Sequence, residues 1–495
     1  MLDKLSLVVA SPEILLLVMA CVIALVDLGV KSRLRGLTYW LTLATLAAAA
    51  FATADMAMDG RTFYAFGKMV VSDPMGNWLK CFATLALMVT LVYGRPYAAD
   101  RDMLRGGEFF TLSMLSLLGM YVMISGSNFL VIYLGLELMT LCSYALVALR
   151  RDNDVATEAA MKYFVLGAMA SGFLLYGISM LYGATGSLDI NEVFSAIASG
   201  RINHQVLVFG LVFIVSGLAF KLGAAPFHMW IPDVYQGAPT AITLMIGSAP
   251  ELAAFAIAIR LLVEGMIPLA IDWQQMLMLL SVASLLVGNL AAIAQTNLKR
   301  MLAYSTIAQM GFVVLGLCAG VVGGNTGNAQ YAYSAAMFYI VTYVLTTLGA
   351  FGIILLLARE GFESDQIADL AGLNQRSPLY AGIMAICMFS LAGVPPLVGF
   401  YAKLLVLQSL VASGQALYIG LAVFAVIASL IGAFYYLRVV KVMYFDSPIT
   451  ATTVSAPADV RAVLSLNGAL VLILGILPGG LMSLCADAII KTLAT

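Results

Sequence analysis

Charged side chains are scarce in this sequence. They make up 10% of its 495 residues, and hydrophobic residues make up 62%, whereas soluble domains are about one quarter charged. The formal net charge of −1 gives no basic surface, so we expect no nucleic-acid partner. Long apolar runs recur from end to end, each long enough to cross a hydrocarbon core of about 30 Å. These features exclude a soluble domain and indicate a membrane protein surrounded by lipid.

Motifs for metals and cofactors are also missing. The six cysteines lie singly in apolar runs, without CxxC or Cys/His spacing, so we expect buried, inert thiols. We expect no metal site and no bound cofactor, and therefore no iron–sulfur cluster or haem. The glycines of GVVGGNTG (320–327) lack the Lys-Ser/Thr of a phosphate loop. The start, MLDKLSLVVASPE, lacks the features of a signal peptide, so we expect the first span in the mature protein.

The apolar runs predict an all-α polytopic membrane protein with about 14 transmembrane helices. We expect a single membrane domain over 1–495, because the polar connectors are too short for a soluble domain. Connectors after odd-numbered spans carry most of the Lys and Arg, which places both termini on the periplasmic side of a bacterial inner membrane. We expect four charged residues near span ends to lie at the membrane interface: Lys80, Arg260, Asp27 and Arg438.

Two of the predicted helices are interrupted by proline. Helix 7 breaks at GAAP (223–226) and helix 12 at GVPP (393–396), because proline removes a backbone donor and crowds the preceding turn. An odd number of spans separates the breaks, so the second unit would cross the membrane in the opposite direction. Such paired breaks are typical of inverted-repeat transporters. We expect repeats at 108–263 (helices 4–8) and 272–440 (helices 9–13), with 1–107 (helices 1–3) and 460–495 (helix 14) outside them.

Ionisable residues within the predicted helices define the candidate site. A charge at the bilayer centre costs about 2.5–3.5 kcal/mol on insertion scales, so each one requires an explanation. The candidates lie in mid-span or near a break: Glu137, Lys162, Lys221, His228, Glu251 and Lys403. Structural alternatives stay open. Lys162 follows Glu158 by four residues, as in a solvated helix-end pair, and Glu251 after Pro250 fits an ordinary helix start.

Side chains of these types indicate proton transfer. Lysine, histidine and carboxylate groups all exchange protons, and His228 lies just past the break that Lys221 precedes. If Glu137 and Lys221 form an ion pair, separating the two ions disfavours the charged lysine and releases its proton. The sequence offers no nucleophile and base pair that would favour covalent catalysis instead.

Across nearly its whole length, the sequence resembles the antiporter-like subunits of proton-pumping NADH:quinone oxidoreductase, respiratory complex I. The resemblance rests on the span-5 glutamate and on FKLGAAPFHMWIPDVYQGAPT (220–240), NLKRMLAYSTIAQMGF (297–312) and LAGVPPLVGFYAKLLVL (391–407). It implies a translocase subunit without a redox centre, in a complex that uses NADH and quinone. Lys403, and an end after span 14, favour the N branch over the L and M branches. The implied partners are membrane subunits M, K, J and L.

The resemblance also implies a role for each candidate. Glu137 and Lys221 would form the coupling pair, with Lys162 as a relay or modulating residue near them. His228 would lie on the bridge between two half-channels. Lys403 would be the terminal lysine of a central hydrophilic axis.

Two positions depart from the family pattern. Glu251 stands where the family commonly has Lys, and Gln309 where it often has His, so the relay would change sign at Glu251.

Two other functions stay open. A Mrp-type cation/proton antiporter subunit shares the first motif, and neighbouring genes would separate it from a complex I subunit. A lipid-linked or drug exporter would need a central substrate cavity and does not predict paired breaks, each beside a lysine.

Overall fold

The computed structural model describes residues 4–359, 361–448 and 454–494. Over these ranges the chain is mostly helical, as predicted. Twelve of the described helices are long and apolar enough to cross a membrane, and two shorter apolar helices occupy the predicted broken span at 378–411. The total of 14 spans and the division into two repeats stay predictions.

The first part of the chain forms eight helices and one β-hairpin. The helices are α1 (Lys4–Val9), α2 (Ser11–Asp27), α3 (Gly36–Asp59), α4 (Pro74–Asp100), α5 (Glu108–Ser125), α6 (Phe129–Val147), α7 (Asp154–Thr185) and α8 (Ile190–Ala198). Strands β1 (Phe63–Ala65) and β2 (Val70–Ser72) pair antiparallel. The hairpin and α8 were not predicted, because they are too short to produce a membrane-length apolar run.

The middle of the chain contains the first break. Its helices are α9 (His204–Lys221), α10 (Trp230–Gly237), α11 (Thr240–Ile246), α12 (Ala249–Ala258), α13 (Ala270–Ile293), α14 (Leu298–Cys318) and α15 (Ala329–Leu357). A π-helical turn, Ile259–Gly265, continues α12, and a 3-10 turn, Ile267–Leu269, leads into α13. The predicted span 240–263 is therefore interrupted between α11 and α12. Pro250 and the Ser248 hydroxyl, which donates to the Leu244 carbonyl at 2.6 Å, explain this interruption.

The last part contains the second break. Its helices are α16 (Leu373–Arg376), α17 (Pro378–Ala392), α18 (Val398–Val411), α19 (Ala416–Phe445), α20 (Ala458–Ile476) and α21 (Gly479–Leu493), and a 3-10 turn spans Ile367–Leu370. The last predicted helix, helix 14 within 460–495, is divided into α20 and α21. Pro478 follows the end of α20, and the residue before a proline is disfavoured in helical conformation.

The first break is stabilised by neighbouring side chains. Gly223 has a φ of +61°, and a Cβ there would overlap the side chain of Ile231. The indole Nε1 of Trp230 donates to the carbonyl of Phe220 at 3.0 Å. The backbone N–H of Ala225 donates to the Ser284 hydroxyl on α13 at 2.8 Å. These contacts satisfy backbone groups that the break removes from the helix, as a membrane environment requires.

Three of the four charged residues expected at the membrane interface are buried instead: Lys80, Arg260 and Asp27. Lys80 is 2% exposed, and its Nζ lies 2.6 Å from Oε1 of Glu13. Arg260 is 1% exposed and pairs with Asp73 at 2.7 Å and with Glu264 at 2.6 Å. The expectation for Lys80 and Arg260 was wrong because Glu13 and Asp73 are distant in the sequence.

The other terminal charges and the cysteines also differ in part from expectation. Asp27 is buried and pairs with Arg35 at 3.1 Å. The guanidinium of Arg438 donates to the Ile293 carbonyl at 2.9 Å. Five of the six free cysteines are buried, as predicted, but Cys21 is exposed on the outside of the bundle.

Candidate functional site

Lys221 is the last residue of α9, directly before the first break. The carbonyl end of a helix favours a cation. Its Nζ is buried, however, and has no hydrogen-bond partner among the described residues. It lies 5.6 Å from the centroid of the Phe220 ring. An ammonium group without a fixed partner is costly in such a place, so Lys221 has the environment of a group that gains and loses a proton.

Glu137 lies near Lys221 without touching it. It is half-buried on α6, and its Oε1 is buried with no hydrogen-bond partner in the described part of the chain. Its charge is close enough to interact electrostatically with Lys221. The two side chains are not among the ion pairs within 4.0 Å that join the described residues. The predicted pair is thus observed as neighbours at a separation beyond direct contact.

Glu251 shares a cavity with Lys221. It lies in the first turn of α12, is 2% exposed, and has one carboxylate oxygen without a partner among the described residues. Both residues line a cavity of about 20 Å³, with Tyr163 and Trp230 also in its wall. A space of this size holds about one water. A lysine and a carboxylate across one water can exchange a proton.

A tyrosine and a threonine lie beyond Glu251, on helices of the second half of the chain. The Tyr343 side chain lies close enough to Glu251 to interact with it electrostatically. Its hydroxyl donates to the Thr306 hydroxyl at 2.8 Å, which joins α15 to α14. Both side chains are buried. Polar groups therefore extend past Glu251 in the direction of the second break.

Gln309 links this region to Lys403. Its side-chain amide donates to the Leu391 carbonyl at 3.0 Å, and its carbonyl oxygen accepts a hydrogen bond from the Tyr339 hydroxyl. Lys403 donates to the same Leu391 carbonyl at 2.9 Å, to the Ala392 carbonyl at 3.1 Å and, on α19, to the hydroxyl of Ser429 at 2.8 Å. Gln309, which was not among the candidates, therefore contacts the same backbone group as the terminal lysine.

Lys403 is held far more firmly than Lys221. It is 8% exposed and lies across the second break, against the carbonyl end of α17. Three acceptors surround its Nζ, as many as a lysine ammonium has N–H groups. The helix dipole of α17 also favours a cation there.

Lys162 is placed away from the cavity. Its ammonium pairs with Glu158 at 2.8 Å and with Asp233 at 2.9 Å, and 43% of its side chain is exposed. Arg300 pairs with the other oxygen of Asp233 at 2.7 Å. The helix-end pair with Glu158 is therefore present, together with a connection to α10. Asp233 was missed because it lies in another helix, and only its position in the first long motif drew attention to it.

His228 lies in the connector between α9 and α10. It is half-buried, and its Nδ1 has no hydrogen-bond partner among the described side chains and backbone groups. It does not line the cavity shared by Lys221 and Glu251. The structure therefore puts His228 in the break, as predicted, but outside this cavity.

Lys299 is a buried lysine that was not among the candidates. It lies at the start of α14, directly after a connector, yet it is 3% exposed. Its Nζ donates to the Ala238 carbonyl at 3.0 Å and contacts the Thr240 hydroxyl at 3.4 Å. Its burial could have been predicted from the apolar residues directly after it, which continue a helical run.

The chemistry available to this site is proton transfer. Over residues 4–359, 361–448 and 454–494, no group of three or more His, Cys, Asp or Glu could hold a metal ion. Carboxyl, ammonium, hydroxyl and amide groups lie on the helices between α6 and α18. Such groups pass protons directly or through single waters.

Comparison with known proteins identifies a family that contains every candidate residue. The family described as NADH:quinone oxidoreductase/Mrp antiporter, TM, matches residues 126–432. NADH-quinone oxidoreductase subunit N of Polaromonas naphthalenivorans (strain CJ2) is 74% identical over 491 residues, which are 99% of this chain and 98% of that relative.

Two solved structures share the fold. A chain of respiratory complex I from Thermus thermophilus, solved with bound aureothin, has a TM-score of 0.79 and 32% identity, covering 96% of this chain and 100% of its own. A chain of the Mrp complex from Dietzia sp. DQ12-45-1b has a TM-score of 0.84 at 20% identity, covering 99% and 97%. The likeness to the Mrp chain concerns the fold alone.

Proposed function

Because this chain belongs to the subunit N family of NADH-quinone oxidoreductases, we propose that it carries protons through the buried line Glu137, Lys221, Glu251 and Lys403. It is an antiporter-like membrane subunit of a proton-translocating enzyme, and other subunits of complex I are its partners. We propose subunits M, K, J and L as those neighbours. Quinone reduction by NADH elsewhere in the complex would drive the proton movement.

One observation supports this proposal above the others. The Nζ of Lys221 is buried and unpartnered among the described residues, and it lines a water-sized cavity together with Glu251. A lysine with a purely structural role would be expected to have a carboxylate or carbonyl acceptor.

The transfer steps follow from the order of the groups. When the Glu137 carboxylate moves away from Lys221, the ammonium loses its stabilising charge, and one N–H bond breaks. A water in the shared cavity accepts that proton and passes a proton to the Glu251 carboxylate, where an O–H bond forms. The O–H bond of protonated Glu251 then breaks, and its proton moves through the intervening hydroxyl groups to Lys403, which accepts it after its own ammonium has broken one N–H bond and released a proton. With the lysine that is common in the family, the proton would pass from one lysine to another. With Glu251, it passes from a lysine to a carboxylate.

We propose supporting roles for the two remaining candidates. Lys162 binds Asp233 of α10, and Trp230 at the start of α10 caps the last turn of α9. Lys162 would therefore act on Lys221 by positioning α10. His228 would exchange protons within the break, outside the cavity.

We further propose the membrane arrangement. Both termini would lie on the periplasmic side of a bacterial inner membrane, because the connectors assigned to the cytoplasm carry most of the Lys and Arg. Residues 108–263 and 272–440 would form inverted repeats. Matched breaks, each adjoining a lysine at the carbonyl end of a helix, support this assignment.

Replacement of Lys221 tests the proposed function. In the assembled complex, Lys221→Ala removes the unpartnered ammonium, and we expect quinone-linked proton pumping to fall by about tenfold or more. Lys441→Ala is the matched control, since Lys441 forms an exposed pair with Asp446 and such pairs contribute little. Native gels establish assembly, and vesicle acidification measures pumping. Assembled Lys221→Ala complex that pumps at the wild-type rate would disprove the relay.

A further inference from the structure

Asp73, Arg260 and Glu264 form a buried charged cluster that the proposed line does not use. The guanidinium of Arg260 lies 2.7 Å from Asp73 and 2.6 Å from Glu264. The side chains of Arg260 and Asp73 are each 1% exposed. The cluster joins the start of α4 to the π-helical turn that follows α12. Fully buried ions are expensive, so this arrangement requires an explanation.

The backbone around the cluster is shaped to hold it. Asp73 caps α4, and its Oδ1 accepts a hydrogen bond from the Gly76 N–H at 3.0 Å. A Cβ at Gly76 would lie 3.2 Å from Nη2 of Arg260, so the absence of a side chain there lets the guanidinium approach. The Nε of Arg260 donates to the Ile124 carbonyl at 3.3 Å. Arg260 and Glu264 both lie in the π-helical turn, a feature that is frequent at functional sites.

The cluster opens onto a large cavity. Asp73, Arg260 and Glu264 line a space of about 420 Å³, which Tyr64 of β1 and Thr492 of α21 also line. This volume holds many waters. The Oδ2 of Asp73 is buried and has no hydrogen-bond partner among the described residues. A buried carboxylate oxygen thus lacks a protein donor at the wall of a cavity wide enough for water.

The charges of the cluster do not balance. Two carboxylates share one guanidinium, which leaves one negative charge in excess when both are ionised. The only other titratable side chain of the cavity wall, among the described residues, is Tyr64, and it adds no positive charge. By contrast, Glu13 and Lys80 form a balanced pair two turns further along α4. An excess buried carboxylate facing water can bind one proton as a carboxylic acid and return it to water.

We propose that the Asp73–Arg260–Glu264 cluster is a proton-exchange site between the buried line and the water on the side of the chain termini. The inference rests on the proposed proton relay. The α12 segment joins the two sites, with Glu251 in its first turn and Arg260 about 14 Å further along its axis. The O–H bond of protonated Glu251 breaks, an O–H bond forms on Glu264 or Asp73, and that second bond breaks when a cavity water accepts the proton. The first and last described helices lie near this cavity: the Met75 N–H donates to the Thr492 hydroxyl of α21 at 3.2 Å, and the Phe66 N–H, directly after β1, donates to the Ser6 hydroxyl of α1 at 3.2 Å.

Replacement of single carboxyl groups tests the exchange site. Glu264→Gln keeps the buried Asp73–Arg260 pair in balance, and Asp73→Asn keeps a capping oxygen for α4. We expect each variant to assemble and to pump protons about tenfold or more slowly than wild type. Glu264→Asp retains a carboxyl group and should recover most of the rate. The double variant Glu13→Gln/Lys80→Met removes a balanced pair between α2 and α4 and should pump normally.

Three outcomes would overturn the exchange site. The first is an assembled Glu264→Gln complex that pumps protons at the wild-type rate. The second is a Glu264→Asp complex that loses as much pumping as Glu264→Gln. The third is a Glu13→Gln/Lys80→Met complex that loses as much pumping as Glu264→Gln. If the single variants fail to assemble, the neutral triple variant Asp73→Asn/Arg260→Gln/Glu264→Gln decides, because it leaves no unpaired charge. Lys221→Ala in the same vesicles separates the two proposals. Loss of pumping there, with normal pumping in Glu264→Gln, disproves only the exchange site, whereas normal pumping in Lys221→Ala disproves the relay itself.

Discussion

At the scale of single residues, the two lysines beside the breaks have opposite surroundings. Lys221 has no hydrogen-bond partner in the described part of the chain, whereas Lys403 donates to two carbonyls and a hydroxyl. A proton is easier to remove from an ammonium without acceptors than from one whose three N–H groups are all bound. We therefore propose Lys221 as the group from which the proton departs and Lys403 as the group that holds it.

Glu251 provides the prediction at this scale. Glu251→Gln preserves volume and hydrogen-bonding groups but cannot bind a proton in the cavity that it shares with Lys221. We expect an assembled complex whose pumping rate falls by about tenfold. Glu251→Lys restores the residue type common in the family and should pump better than Glu251→Ala, measured as protons per electron pair. If the Ala, Gln and Lys variants all pump at the wild-type rate, Glu251 has no role in proton transfer and only stabilises the start of α12.

Buried charged residues of the candidate site could be recognised from the sequence, but the residues that pair with charged side chains could not. Glu251 and Lys403 were recognised because a charge is conspicuous in an apolar run. The partner of Lys162, Asp233, could not be recognised, because 71 residues and a different helix separate the two. Lys80 and Arg260 were misplaced for the same reason, since proximity to a span end says nothing about a carboxylate on another helix.

At the scale of the elements, proline predicted the breaks at 223–226 and 393–396, because its effect on a helix is local. The interruption at Ser248 and the π-helical turn after α12 depend on packing as well, and the sequence pattern did not reveal them. The division of the last span at Pro478 was available from the sequence, and the apolar run obscured it.

The first break allows a matched comparison of two glycines. Gly223 and Gly186 both have positive φ, +61° and +78°, but a Cβ would overlap Ile231 at Gly223 and meets nothing within 4 Å at Gly186. Alanine in a left-handed conformation costs about 1–2 kcal/mol at either position, and overpacking adds about 1–3 kcal/mol at Gly223 alone. We expect Gly223→Ala to lower the dissociation temperature of the complex, followed on native gels, clearly more than Gly186→Ala does. Equal shifts would contradict the packing assigned to the break.

At the scale of the whole molecule, a loop after α15 ties the two halves of the chain together. The carboxylate of Glu363 accepts hydrogen bonds from Arg101 at 2.9 Å, from Tyr97 at 2.8 Å and from Arg150 at 3.3 Å. Tyr97 lies in α4, Arg101 directly follows α4, and Arg150 lies in the connector after α6. The contact spans more than 200 residues of sequence, so only the folded chain reveals it.

This tie predicts a pH dependence. Burial would raise the pKa of the Glu363 carboxyl, but the hydrogen bond and charge of Arg101 outweigh burial and hold the pKa below its ordinary value. A carboxyl with a lowered pKa stabilises the folded state above its ordinary pKa of about 4.3, and this contribution is lost as the pH falls through the folded-state pKa. We expect Glu363→Gln to lower the dissociation temperature at neutral pH, with a difference that shrinks below about pH 4. Asp102→Asn, in an exposed pair with Arg105, should have little effect at any pH.

The central claim is that one continuous line joins Glu137 to Lys403, and a double variant tests it most directly. Glu137→Gln and Lys403→Gln remove the ionisable groups at the two ends while keeping hydrogen-bonding atoms. Groups that act as a unit show strongly non-additive losses. The measurement is the proton-pumping rate of assembled complex carrying each change alone and both together. We predict that each single variant loses about tenfold or more and that the double variant pumps no more slowly than the worse single variant. Losses that multiply in the double variant, or single variants that pump normally, would contradict a single line.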